Sequence, residues 1–169
     1  LNNVLPGVRS IVCVAFPYAP ATERSPELPY ISRYAYCEDY HEAVRARLRT
    51  VLTEMGIDNI CRVCVDSAPV SERFWAIRAG IGCRGDNGAL IVPGIGPEVF
   101  LAEILTTLDL EPDEPSSAEC LHCGACLRVC PTGALQSDGT IDCRRCISYL
   151  TIEHRGPWAD SEAIAAMST

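Results

Sequence analysis

Apolar residues in the first two thirds of the chain fall into short runs and one stripe at helical spacing. The runs that predict strands span 10–16, 59–65, 89–92 and 99–105, and the last could also be helical. The segments that predict helices span 39–55 and 71–79. Strands that alternate with helices indicate an α/β domain, with α+β as the alternative.

The predicted helix at 39–55 has recognisable ends. Asp39 can cap its N-terminus, with Glu42 three residues later as in a capping box. Gly56 follows its last turn, where glycine commonly ends a helix. Its apolar stripe consists of Val44, Leu48, Val51, Leu52 and Met55. We expect this stripe to face the core.

Three segments show neither the strand pattern nor the helix pattern. Residues 17–37 contain four prolines and four tyrosines and are predicted to form a long loop, and residues 80–88 are rich in glycine. The spacing Gly-x-Gly-x-x-Gly at 80–85 follows a helix rather than a strand, so it is a weak phosphate-binding signal. Residues 109–119 are a polar, proline-rich linker. We therefore predict domains at 1–108 and 120–169.

The composition is that of a globular protein with 169 residues, 48% of them hydrophobic. No apolar run approaches the roughly 20 residues that cross a bilayer, so we expect no membrane partner. The net charge of −8 argues against a general nucleic-acid-binding face, but not against a narrow RNA contact. The chain begins at Leu1 without a Met, and we expect a segment before it.

Six of the eleven cysteines are concentrated between Cys120 and Cys146. Cys120, Cys123, Cys126 and Cys130 have the spacing of bacterial ferredoxins, and Pro131 follows the last of them. Thiolates are favourable iron ligands, and the two-residue gaps allow one tight loop to direct three sulfurs at one cluster. This run predicts a [4Fe–4S] site.

The remaining cysteines leave alternatives open. Two pairs, Cys123 with Cys126 and Cys143 with Cys146, also fit a zinc ribbon, although zinc leaves Cys120 and Cys130 unexplained. Two cysteine-ligated [4Fe–4S] clusters need eight thiolates, and this segment supplies six. Cys13, Cys61 and Cys64 are interpreted as buried apolar side chains, and Cys37 and Cys83 stay unassigned. His122 is expected to face solvent.

Several blocks of sequence, taken together, resemble the epoxyqueuosine reductase family. The most specific are Asp-Ser-Ala-Pro-Val at 66–70 and Arg-Arg-Cys-Ile-Ser-Tyr-Leu-Thr at 144–151. Leu5–Ser10, Arg33–Tyr36 and Asp39–His41 are also similar to that family. The chain departs from that family in two places: Cys83–Asp86 stands where many members have Trp-Ile-Gly-Lys, and Cys143 replaces a common alanine. The resemblance extends over nearly the whole chain.

This resemblance implies a cobalamin-binding α/β (or α+β) domain followed by a ferredoxin-like module with [4Fe–4S] clusters, two in the family. It implies reduction of epoxyqueuosine to queuosine in tRNA, in the cytoplasm. An electron donor such as a flavodoxin or ferredoxin system would supply the electrons. It also implies further sequence on both sides, so that the chain is expected to be an internal fragment.

The resemblance also implies roles for individual residues. Asp66 would be the proton donor beside the corrin. The alternative is a structural role, in which Asp66 caps the turn at 67–69. Leu90, Leu101 and Glu153 would approach cobalamin, and Cys146 would join the cluster ligands. The tRNA contacts would be His154, Gly156 and Pro157, for which an ordinary helix-ending turn is the alternative.

Two other functions share part of these features. A reductive dehalogenase-like enzyme also pairs cobalamin with two clusters, but such enzymes usually carry an export signal with two arginines. An iron–sulfur electron-transfer module would need neither Asp66 nor the long first domain.

Overall fold

The computed structural model describes residues 1–18, 25, 27, 31–36 and 38–156. Much of the loop predicted at 17–37 therefore lies outside the described residues, as does Cys37. No helix in the described part of the chain has both the length and the apolar character to cross a bilayer.

The chain divides into two compact units, and each is described by itself. The first contains Leu1–Cys83 and Leu90–Ala118, and the second contains Arg84–Ala89 and Glu119–Thr169.

A three-stranded sheet forms the centre of the first unit. Its strands are β1 (Ser10–Pro17), β2 (Cys61–Cys64) and β5 (Val99–Thr106), in the order β1-β5-β2. The alternative that 99–105 is helical is wrong, because β5 pairs with β1 along its whole length and with β2 from Glu103 to Thr106. A 3₁₀ turn at Asp58–Ile60 occupies the start of the segment predicted as the second strand.

Both strand pairings are antiparallel, with Val12 opposite Ile104 and Val63 also opposite Ile104. This arrangement corresponds to the α+β alternative. The rule that active sites collect at the carboxyl ends of strands applies to parallel sheets, so it does not locate a site here.

Each face of the sheet packs against one helix. Helix α1 (Tyr40–Glu54) packs Val44 and Leu48 against Val65 and Ala102. Helix α2 (Glu72–Arg78) packs Ala76 on the opposite face, together with Leu90 and Val92. Successive residues of a strand point to opposite faces, so β5 contributes to both cores.

Helix α1 has the predicted ends but a narrower buried stripe. Asp39 caps it by accepting a hydrogen bond from the His41 N–H at 2.9 Å, and Gly56 follows it with a φ of 69°. Val51 and Met55, predicted to face the core, are 45% and 63% exposed. The core-facing stripe is limited to Val44, Leu48 and Leu52 because the three-stranded sheet covers only one side of the helix.

The glycine-rich segment contains a short hairpin of β3 (Cys83–Arg84) and β4 (Leu90–Ile91). A Cβ atom at Gly82 would lie 2.1 Å from the carbonyl oxygen of Ile91, and one at Gly80 would lie 2.4 Å from that of Glu114. These two glycines are therefore explained by close backbone packing, without a phosphate ligand.

The second unit has short helices and little apolar core. Its elements are α3 (Ala125–Val129), α4 (Ile147–Ile152) and a bridge between Leu135 and Ile141. Among the described residues of this unit, only Thr132 and Ala134 have buried side chains. Leu121 and Val129 are 88% and 76% exposed. Burial of apolar side chains alone is therefore a weak source of stability for this unit.

Candidate proton-transfer site and iron–sulfur centre

Asp66 lies in a tight turn immediately after β2 and the buried Val65. Its φ is 55°, a left-handed conformation that is uncommon for residues other than glycine, asparagine and aspartate. The Ser67 N–H closes the turn by donating to the Val65 carbonyl at 2.6 Å. The Asp66 N–H donates to Glu72 Oε1 at 2.5 Å. Such backbone strain tends to occur at functional sites.

The Asp66 side chain contacts a histidine from the start of α1. His41 Nε2 lies 3.0 Å from Asp66 Oδ2, and His41 Nδ1 lies 2.7 Å from Asp39 Oδ1. Asp39 is also the N-cap of α1, so the start of this helix positions both Asp39 and His41. The Asp66 side chain is 60% exposed and thus open to a reactant.

Aromatic stacking fixes the plane of the imidazole. The Tyr40 ring stacks on His41 at 4.0 Å between centroids, and on Phe100 at 4.2 Å with an angle of 4°. Burial and the nearby Asp66 carboxylate raise the pKa of Tyr40 to about 12. The phenol therefore stays neutral. The stacking of its ring on His41 keeps the imidazole in one orientation.

Charged groups around the site favour proton transfer. The hydrogen bond that His41 donates to Asp66 raises the pKa of His41, burial opposes this effect, and the hydrogen bond to Asp39 adds to it. Hydrogen bonds from His41 lower the pKa of Asp39. Burial raises the pKa of Glu72 despite the hydrogen bond from the Asp66 N–H. A histidine between two carboxylates can hold a proton at neutral pH and pass it to a neighbour.

The residues expected near cobalamin belong to both units. Leu90 is buried and Leu101 half-buried on the α2 side of the first unit's sheet, whereas the ring of His41 stacks with Tyr40 next to the α1-side core. Glu153 is exposed at the end of α4 in the second unit. Their contacts with a cofactor stay predictions. The exposed carboxylate on a left-handed turn makes Asp66 a candidate functional residue.

The expected tRNA contacts follow α4. The His154 N–H donates to the Tyr149 carbonyl at 3.0 Å, and Arg155 donates to the carbonyl of Ile152 at 2.9 Å. These bonds end the helix, and Gly156 follows with a φ of 121°. Pro157 lies outside the described residues. A role in tRNA binding stays a prediction.

The cysteine loop of the second unit fits an iron–sulfur cluster. His122 and Gly124 have φ values of 48° and 67°, which turn the chain sharply between cysteines. Cys120, Cys123, Cys126 and Cys130 are all free thiols and only partly buried or exposed. Free cysteine is usually among the most buried residues, so exposed thiols in one loop indicate ligands rather than core side chains.

Cys130 is prepared for ligation by its hydrogen bonds. Burial raises the pKa of this thiol, but the N–H groups of Leu135, Ala134 and Thr132 and the hydroxyl of Thr132 lower it further than burial raises it. Hydrogen bonds to sulfur stabilise a thiolate and also tune the potential of a cluster. The donor set therefore suits a [4Fe–4S] cluster.

The other two cysteines of the second unit, Cys143 and Cys146, lie outside the run from Cys120 to Cys130. Cys146 precedes α4 and is half-buried, and Cys143 is exposed. His122 is exposed as expected, but its Nδ1 also lies 2.9 Å from Asp86 Oδ1. With Cys120, these two residues offer ligand atoms within 4.8 Å of one another. This contact ties the glycine-rich turn to the cysteine loop within the unit.

Two site features were not predicted from sequence. The bond between His41 and Asp66 was missed, although Asp39–His41 had been singled out as a block. Glu103 is fully buried in β5, and neither carboxylate oxygen has a hydrogen-bond partner among the described residues. Its signal in the sequence was a single acidic residue within the apolar run 99–105.

A mixed α/β unit together with a coreless cysteine-rich unit defines the class of this molecule as an iron–sulfur protein. Family models match both parts: residues 1–67 match Epoxyqueuosine reductase QueG, DUF1730, and residues 119–168 match a 4Fe-4S double cluster binding domain. The chain is therefore similar to the epoxyqueuosine reductase family.

Individual relatives show the same similarity. The epoxyqueuosine reductase of Gloeobacter violaceus is 45% identical over 161 residues, which cover 93% of this chain and 50% of that protein. The Streptococcus thermophilus structure aligns with a TM-score of 0.79 and 29% identity, covering 94% of this chain and 45% of that one. The chain spans about half the length of the curated relatives it matches.

A further solved structure contains substrate. It is an epoxyqueuosine reductase with an epoxyqueuosine-modified tRNA-Tyr stem loop. It aligns with a TM-score of 0.77 and 32% identity, covering 94% of this chain and 44% of that one.

Proposed function

We propose that the protein formed by this chain reduces epoxyqueuosine to queuosine in tRNA, in the cytoplasm. The observation that carries the proposal is the exposed Asp66 carboxylate, held on a strained turn and hydrogen-bonded to His41. The similarity to this family and the relative bound to a modified tRNA stem loop support the substrate.

The proposed chemistry requires protons as well as electrons. Removal of an epoxide oxygen as water consumes two electrons and two protons and leaves a carbon–carbon double bond. Asp66 donates a proton to the departing oxygen. The alternative, that Asp66 caps the turn at 67–69, is not favoured, because its carboxylate bonds His41 rather than a backbone N–H of that turn. Its exposed position leaves room for the substrate.

The cofactors of the proposed reaction are [4Fe–4S] clusters and cobalamin. Cobalamin, when bound, supplies a strongly nucleophilic low-valent cobalt. Cys120, Cys123, Cys126 and Cys130, with Cys146, hold cluster iron, and the double-cluster model supports this use. An external donor such as a flavodoxin or ferredoxin system supplies the electrons. Leu90, Leu101 and Glu153 remain the proposed cobalamin contacts.

The tRNA contacts proposed for this chain are few. His154, Gly156 and Pro157 are the candidates, in a chain whose net charge is −8. A small contact area agrees with this charge, since broad recognition of the phosphate backbone requires clustered lysine and arginine.

The substitution Asp66→Asn tests the proposal in the holoenzyme with both cofactors. Asparagine tolerates positive φ, so the turn is kept while the ionisable proton is lost. We expect kcat for the modified stem loop to fall by about 10²- to 10⁴-fold. Cluster and cobalamin absorption should be unchanged.

Asp58→Asn provides the matched control, because Asp58 is exposed at the surface and is assigned no role. It should keep the rate of the parent protein. Full turnover by Asp66→Asn would exclude Asp66 as the donor, and absence of queuosine from the parent holoenzyme would exclude the proposed function.

A further inference from the structure

His41 is held at both ring nitrogens by carboxylates. The distance from Nδ1 to Asp39 Oδ1 is 2.7 Å, and that from Nε2 to Asp66 Oδ2 is 3.0 Å. The backbone N–H of His41 donates to the same Asp39 oxygen at 2.9 Å. The stack on Tyr40 limits rotation of the ring. The imidazole therefore has one orientation, with one nitrogen facing each acid.

These contacts determine where protons can be. An ionised carboxylate only accepts hydrogen bonds, so Asp39 keeps a proton on Nδ1. The bond between Nε2 and Asp66 contains one further proton. That proton gives either an imidazolium beside a carboxylate or a neutral imidazole beside a carboxylic acid. It can pass between the two along one hydrogen bond, without rotation of either side chain.

The proposed reduction consumes two protons for each epoxide oxygen lost as water, whereas one carboxylic acid carries one. We propose that His41 is the proton store that reloads Asp66 within a turnover, and that Asp39 positions it for this task. This inference deepens the proposed function and rests on it. The pair holds two protons at the start of a turnover, one on Nε2 and one on Asp66 Oδ1. Asp66 gives its proton to the leaving oxygen, and the proton on Nε2 then passes to Asp66 Oδ2. This transfer leaves a neutral imidazole beside a carboxylic acid, which gives the second proton.

The groups that face His41 come from several elements. The carboxylates are Asp39, Asp66 and, from α2, Glu72, and the phenol is that of Tyr40, whose ring also meets the Tyr34 ring edge-on. The guanidinium groups are Arg45, which acts on Asp39, and Arg73, which acts on Glu72. Three carboxylates against two guanidinium groups favour a protonated imidazole, in agreement with the raised pKa of His41.

A role limited to orientation would have a different signature. His41→Gln can keep a hydrogen bond to Asp66 but cannot carry the mobile proton. If His41 only orients Asp66, this variant should retain most of the activity. If His41 stores the proton, kcat should fall by about 10- to 100-fold, with KM for the stem loop unchanged.

The pH profile adds a second signature. A store must be protonated to act, so kcat of the parent should fall as pH rises through the pKa of His41. In His41→Gln this fall should be absent, because glutamine has no ring nitrogen to titrate. Free imidazole should restore part of the rate to His41→Ala, since a small diffusible acid can replace the missing ring.

A measurement without turnover tests the shared proton directly. Nuclear magnetic resonance of ¹⁵N-labelled imidazole follows protonation of His41 in the folded protein. Asp66→Asn should lower the pKa of His41, since the hydrogen-bonded negative charge is lost. An unchanged pKa would mean that the bond does not exist in solution and would overturn the proposal.

The kinetic experiment distinguishes failure of the proton store from failure of the proposed function. It uses the holoenzyme with clusters, cobalamin and a stem loop that carries epoxyqueuosine. Queuosine formation that is unchanged by His41→Gln, in rate and in pH profile, would overturn the store but keep the proposed function. A parent holoenzyme that forms no queuosine would overturn the proposed function itself. A lower kcat in His41→Gln, together with rescue of His41→Ala by free imidazole, supports both the proton store and the proposed function.

Discussion

Glu103 shows how one residue in the first unit depends on its surroundings. It lies in β5 opposite Cys13 of β1 and Cys64 of β2, and it is fully buried. Burial, and secondarily Glu72, raises the pKa of Glu103 to about 8 from an ordinary 4.5. Burial and then the Glu103 charge raise the pKa of Cys13 to about 12. At neutral pH this part of the sheet is therefore uncharged.

The raised pKa makes stability depend on pH. Because folded Glu103 keeps its proton up to about pH 8 and unfolded Glu103 loses it near 4.5, the folded state binds more protons between these values. The free energy of unfolding should decrease as pH rises from 4.5 to 8 and then level off. Glu103→Gln, which mimics the neutral acid, should be more stable than the parent at pH 9 by on the order of 3 kcal/mol.

Urea denaturation of the parent and variant at pH 5, 7 and 9 measures this difference. Glu54→Gln, on the exposed end of α1, is the control and should follow the parent at every pH. Equal pH dependence in Glu103→Gln and the parent would contradict the assignment of a buried, neutral carboxyl.

At the scale of elements, α1 serves both the core and the candidate site. Its N-terminus places Asp39, Tyr40 and His41 at the turn of Asp66, and its middle packs against the sheet. The contact of Leu48 with the sheet core therefore determines where His41 lies. A shift of the helix by about 1 Å would break the hydrogen bond to Asp66, since such bonds weaken steeply with distance.

Leu48→Ala tests the packing of α1. Leu48 is 7% exposed, so its truncation leaves a cavity and should reduce the free energy of unfolding by about 2–5 kcal/mol. Met55 belongs to the same predicted stripe but is 63% exposed, and Met55→Ala should change stability by less than about 0.5 kcal/mol. Denaturation followed by circular dichroism compares them, and equal losses would contradict the narrow buried stripe.

At the scale of the whole molecule, the two units differ in what stabilises them. The first buries apolar residues on both faces of its sheet. The second exposes Leu121 and Val129 and, among its described residues, buries only the side chains of Thr132 and Ala134. Small domains without a core commonly depend on a bound metal, whose binding free energy then contributes to folding.

Removal of iron and sulfide should therefore affect the units unequally. We expect backbone amides between Cys120 and Cys146 to lose protection from hydrogen exchange, while amides of β1 and β5 keep it. Anaerobic exchange measured by mass spectrometry on cluster-loaded and cluster-free protein makes the comparison. Equal protection of the cysteine loop in both forms would contradict the dependence on a cluster.

Local patterns determined the elements and the cluster loop from sequence alone. The ends of α1 follow from Asp39 and Gly56, whose cap and left-handed conformation depend on neighbouring residues only. The spacing from Cys120 to Cys130 predicts an iron–sulfur loop for the same reason, and the double-cluster family model covers this segment. The resemblance of several blocks then indicated the family, which the matching models confirm.

Tertiary structure decided what depends on residues far apart in the chain. Strand direction, the exposure of Val51 and Met55, and the burial of Glu103 depend on which surfaces cover one another. The bond between His41 and Asp66 joins residues 25 positions apart and exists only because α1 packs beside the end of β2. A sequence pattern reports local preference, whereas these features arise from the packing of separate elements.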